Sequence, residues 1–131
     1  MFSGFIRRVS TGLAMIGALG TSSIALAEAC VVHSQSERLN VQVCQQNISI
    51  PPVLFHDGFC DPQLPGQKVS VEYVAQCPEG AFGICSGAHV DNMPYQQDIH
   101  YYGVASDGAY LRPFCEQKSR GKWRTPLIET P

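Results

Sequence analysis

Two of the four histidines stand beside carboxylates, in His56-Asp57 and His89-Val90-Asp91, and such pairs are where metal or acid–base chemistry would begin. On a strand His89 and Asp91 would share a face, and with His56 or His100 they could hold zinc through nitrogen and oxygen ligands at roughly 2.0–2.2 Å. None of these spacings matches a known metal motif, and His56-Asp57-Gly58 has the composition of a turn. Surface histidines without metal or cofactor are therefore the expectation. Serine nucleophiles fare no better: Ser86 lies in Cys-Ser-Gly and Ser106 in Ala-Ser-Asp-Gly. Neither occupies the Gly-x-Ser-x-Gly elbow that exposes a catalytic serine.

The cysteines carry more information. Cys30, Cys44, Cys60, Cys77, Cys85 and Cys115 contain no Cys-x-x-Cys pair, and the shortest gap, Cys77 to Cys85, encloses seven residues. That argues against zinc ribbons and thioredoxin-like redox centres. All six follow a segment with Arg7 and Arg8, an apolar run from Thr11, and small residues up to Ala27. Charge, apolar middle and small-residue end are the pattern of an export signal. Cleavage is expected after Ala27, with Ala29 as the alternative.

A retained membrane anchor is the weaker reading, because Gly17, Gly20, Thr21, Ser22 and Ser23 interrupt the run and a spanning helix needs about 20 apolar residues. A lipid anchor on Cys30 is weaker too, since Glu28 lies close to the cut and Leu26 one place too far away. Arg7-Arg8 also resembles the paired arginines of a twin-arginine signal, but a domain that closes its disulfides after export has no need to fold first. The destination is thus periplasmic or extracellular, where six thiols become three structural disulfides. Sequence alone does not choose the pairing. The expected pairing joins Cys77 to Cys85 across a Gly-rich turn and Cys30 to Cys44 locally, with Cys60 and Cys115 as the long staple.

Residues 1–27 are then the cleaved signal, 28–125 the disulfide-rich domain and 126–131 a loose tail. Removal of Arg7 and Arg8 leaves seven basic against eleven acidic side chains, a net charge near −4. Such a chain has no electrostatic reason to bind nucleic acid. Lys118, Arg120, Lys122 and Arg124 nevertheless crowd the end of the chain and read as a solvated terminal segment.

Turn signals recur at short intervals: Pro51-Pro52, Asp57-Gly58, Pro65-Gly66, Pro78-Glu79-Gly80, Ser86-Gly87, Asn92-Met93-Pro94 and Asp107-Gly108. The short segments between them suit strands. Lys68 to Gln76 alternates most clearly, with Val69, Val71, Tyr73 and Ala75 on one side. Arg38 to Gln45 repeats the pattern with Leu39, Val41 and Val43 inward and Cys44 on the polar side. Asp98 to Ala105 is rich in strand formers with apolar groups on both sides and predicts a more central strand, while Cys30 to His33 and Gly80 to Cys85 are weaker candidates. One short C-terminal helix, capped by Asp107, is compatible with Leu111, Phe114, Cys115 and Lys118, although Pro113 limits it. The fold class is mostly β: a small antiparallel sandwich or barrel stapled by three disulfides, with at most that one helix.

Tyr95, Tyr101, Tyr102, Tyr110, Phe114 and Trp123 are concentrated in the final third, and alternation along one strand would expose either Tyr101 or Tyr102. Tyr101, Tyr102, Arg112 and Trp123 are the partner-contact candidates, because contact surfaces favour Tyr, Trp and Arg. The reading is an exported, non-catalytic binding protein whose partner is a protein or glycan in the cell envelope or outside the cell, a class that includes inhibitors and immunity-type proteins. The alternative is a small exported hydrolase or metal-dependent enzyme using His56, His89, Asp91 and His100.

Overall fold

The computed structural model describes residues 28–60, 62 and 64–126, with Gly12 and Gly17 as isolated positions. Apart from those two glycines, the expected export signal lies outside the described residues, as does the tail beyond Pro126. Six strands form one antiparallel sheet: β1 (Ala29–Gln35), β2 (Asn40–Asn47), β3 (Lys68–Val74), β4 (Gly83–His89), β5 (Gln96–Tyr102) and β6 (Lys122–Arg124). Their spatial order is β3-β1-β2-β5-β4-β6.

The mostly β, antiparallel character and the three disulfides agree with the sequence reading. Instead of two packed sheets or a closed barrel, the described residues form a single six-stranded sheet, with two helical segments rather than one. The first, α1, runs over Pro52–Leu54 and continues as a wider turn over Phe55–Phe59. The second, α2, runs over Gly108–Pro113 and continues over Phe114–Lys118. Pro51-Pro52 looked like a breaker, but Pro52 occupies the first helical turn, where its missing N–H is no loss.

The register assigns side chains to two faces. On β1, Cys30, Val32 and Ser34 lie opposite Tyr73, Val71 and Val69 of β3. This face carries both helical segments. Under α1, Phe55, Ile50 and Cys60 pack with Cys30 and Val32; under α2, Cys115 packs with Cys85 and Ala88, joined by Ile99, Tyr101 and Trp123. On the other face, Ala29, Val31 and Cys44 are buried with Val74, Cys77 and Tyr102 packed against them. Helices and a loop thus do what a second sheet was expected to do.

The bridges tie these covers to the sheet. Cys30 joins Cys60, Cys44 joins Cys77, and Cys85 joins Cys115. This overturns all three expected pairs, Cys77–Cys85, Cys30–Cys44 and Cys60–Cys115. The reason is geometric: Cys30 and Cys44 sit on neighbouring strands but on opposite faces, since Cys30 stands opposite Gln45 and Cys44 opposite Val31. Cys44, assigned to a polar side, is fully buried, because the segment containing Cys77 closes over it. All six sulfurs are bridged, so Cys30 has no thiol left to carry a lipid.

Local hydrogen bonds set the entries. At the end of β2, the Asn47 side chain accepts from the Ile50 N–H at 2.8 Å and donates to the Ile50 carbonyl at 2.7 Å. That clasp turns Ile50 inward just ahead of α1. In β4 the register slips between Cys85 and Ala88. Gly87 there adopts φ of 67°, and its N–H donates to Asp98 Oδ1 at 2.8 Å. A glycine is needed because other side chains disfavour that left-handed backbone.

Candidate interaction surface

The segment that ends β5 and leads through α2 to β6 brings aromatic side chains to one end of the helix-bearing face. Tyr101 and Trp123 have ring centroids 5.7 Å apart, and Phe82 lies 6.5 Å from Trp123. Trp123 lies flat over Gly83, where any Cβ would collide with its ring. Trp123 therefore folds back on the core around Cys85 and Cys115. Burial pushes the Tyr101 hydroxyl pKa above its ordinary value.

The four partner-contact candidates do not share one surface. Tyr102 points to the opposite face, where its hydroxyl donates to the Pro78 carbonyl and burial also raises its pKa. Arg112 stands on α2, and its Nε donates to Glu116 Oε1 at 3.3 Å, one turn on. Both side chains of that pair are exposed, so the contact contributes about 0–1 kcal/mol and leaves the guanidinium available.

Tyr110 and Phe114 belong to the aromatic concentration of the final third though not to the four contact candidates, and with Val104 they are the most exposed apolar side chains of this region. Tyr110 is 81% exposed, Val104 63% and Phe114 51%. Tyr110 and Phe114 are four residues apart on the helical run and so rise from one side of it. Cys115, 1% exposed, anchors the other side to Cys85. The signal was present in the spacing: if Leu111 and Cys115 face the sheet, Tyr110 and Phe114 cannot face it fully.

The residues of the enzyme alternative are dispersed. His56 lies on α1, stacked on Tyr73 with centroids 4.1 Å apart, and its Nδ1 meets Asp57 Oδ1 at 2.8 Å. This dyad is on the surface, both side chains being substantially exposed. His89 ends β4, with Nε2 taking a hydrogen bond from the Gln96 amide at 3.0 Å. His100 lies opposite Ile84 while His89 lies opposite Gln96, an offset of four residues, or about 13 Å along a strand. Asp91 occupies the following turn. Among the described residues no three His, Cys, Asp or Glu side chains converge as metal ligands. A concavity of about 380 Å³ at the β1–β2 hairpin is lined by Gln35 to Asn40 alone, one stretch of chain rather than a cleft between elements.

Burial lowers the His100 pKa, the Asp98 carboxylate opposes this by raising it, and the Arg124 guanidinium lowers it further. No helix among the described residues is long and apolar enough to cross a membrane. No protein-family model, curated protein or solved structure matches the chain.

Proposed function

We propose that this chain is an exported, non-catalytic binding protein that works in the periplasm or outside the cell. In this reading the three bridges form after export and hold a recognition surface on α2 for a protein or glycan partner. The observation that carries the proposal is the two-sidedness of α2: Cys115 is buried and bridged while Tyr110 stands 81% exposed beside Phe114. Exposed aromatics on a cross-linked element need little ordering on binding, which favours affinity. Arg112 flanks them with a charge held only by a surface pair, and Tyr101 and Trp123 stiffen the base. A rigid, disulfide-closed projection of this kind suits an inhibitor or immunity-type protein that seats itself on a partner enzyme.

The test is capture by the oxidised chain immobilised on a surface, using cell-envelope and culture-fluid extracts and a glycan array. The Tyr110→Ala/Phe114→Ala variant should lose at least about tenfold in affinity for whatever the parent retains, since each anchor of this type contributes about 1–2 kcal/mol or more. Equal retention by parent and variant would remove this surface from the account.

A further inference from the structure

The sheet has two very different ends. β6 is three residues long and presents Lys122 and Arg124, two devices that protect a sheet edge from further pairing. β3 at the other end is seven residues long, alternates regularly, and has no strand among the described residues on its outer side. Lys68, Ser70 and Glu72 share one face of it and are exposed; Val69 and Val71, on the other, are half-buried at the rim of the cluster around Phe55 and Cys60.

We propose that the outer edge of β3 pairs with β3 of a second copy of this chain, antiparallel about a two-fold axis between the two Ser70 residues. The proposal is independent of the α2 surface and of any partner that surface takes.

The charges choose the occupant and the register. A two-fold contact sets residues opposite one another in pairs whose numbers have a constant sum, and neighbours across the axis must lie on the same face. Centring on Lys68 or Glu72 would oppose like charges, and centring on Val69 or Val71 would leave both charges without an opposite partner. Centring on Ser70 places Lys68 against Glu72 of the partner copy, twice by symmetry, and Val69 against the partner's Val71, also twice. Directly opposed, oppositely charged side chains stabilise antiparallel pairs. The valine pairs would carry the apolar cluster under each α1 across the axis, covering surface that the single chain leaves half open. The same operation at β6, centred on Trp123, would oppose Lys122 to Arg124 and is repelled. The dimer would be a continuous twelve-stranded sheet whose exposed ends are the two short basic β6 strands.

Sedimentation equilibrium of the disulfide-intact chain over a wide concentration range tests this. A monomer–dimer equilibrium that weakens with added salt is expected. Lys68→Glu and Glu72→Lys should each weaken it about tenfold or more, because each change replaces two attractions by two repulsions. The double variant Lys68→Glu/Glu72→Lys restores the opposed charges and should return the dimer to near the parent's affinity. Both side chains are exposed, so circular dichroism should show every variant folded. A purely monomeric parent at all concentrations would overturn the proposal. So would a dimer indifferent to the single reversals, or a double variant no stronger than the singles.

Discussion

Cys85 in β4 and Cys115 in α2 are bridged with their Cα atoms 5.6 Å apart, so the helix that displays Tyr110 and Phe114 is fixed covalently to a strand inside the sheet. Display and anchorage are opposite sides of the same two turns. The other bridges repeat the device: Cys30–Cys60 holds the end of α1 against β1, and Cys44–Cys77 holds the segment after β3 over the opposite face.

The three bridges should contribute almost equally to stability. They close separations of 30, 33 and 30 residues, and loops of that size are each worth about 3–4 kcal/mol by chain entropy. Denaturant unfolding of Cys30→Ser/Cys60→Ser, Cys44→Ser/Cys77→Ser and Cys85→Ser/Cys115→Ser should show comparable losses. The pairing expected from sequence closes loops of very different length, and would instead make the Cys77–Cys85 bridge the least valuable.

What the sequence disclosed depended on whether a residue's neighbours on the sheet were also its neighbours in the chain. β3 was legible because Val69, Val71 and Tyr73 alternate against polar residues over a half-exposed surface. β5 was legible as a central strand because Asp98 to Ala105 is rich in strand formers and has apolar groups on both sides, and it does lie between β2 and β4. The pairing of the cysteines was not legible, because it depends on which loop returns over which face. β6 was hidden for a related reason: Lys122 and Arg124 read as a solvated tail, yet Trp123 between them fills the space over Gly83. Tyr101 and Tyr102 were legible as a pair split by the pleat, because neighbours on one strand point to opposite faces.

Gly83→Ala should be costly even though the added group is one methyl. The Cβ would occupy space taken by the Trp123 indole, forcing β6 and its ring away from Tyr101. A loss of about 1–3 kcal/mol is expected from such overpacking, with a change in tryptophan fluorescence. Unchanged melting and emission would contradict the placement of Trp123.

Acid should weaken the fold through His100. Its folded pKa lies below the ordinary value of about 6.5, chiefly because of burial. The unfolded chain therefore binds the proton more readily. The stabilisation this group supplies is present above about pH 6.5 and is lost as pH falls through the folded pKa. His100→Gln should flatten the melting temperature against pH over that window relative to the parent. Parallel curves would mean that His100 does not titrate differently in the two states.

Removing the Arg112–Glu116 contact should barely affect folding. The pair is exposed and spans one turn, so Glu116→Gln should change stability by less than about 0.5 kcal/mol in denaturant titration. Arg112→Ala should leave the fold equally intact while reducing partner capture. A large unfolding penalty in either variant would assign the pair to the scaffold rather than to the surface.

Intact mass of the naturally produced protein, with and without alkylation, tests most directly the proposal that the bridges are made outside the cytosol. The expected mass is that of residues 28–131 less six hydrogens, with no alkylation before reduction, and non-reducing peptide maps that recover Cys30–Cys60, Cys44–Cys77 and Cys85–Cys115. A product that keeps its first 27 residues and alkylates at all six cysteines without reduction would contradict both the compartment and the cross-linked display of α2.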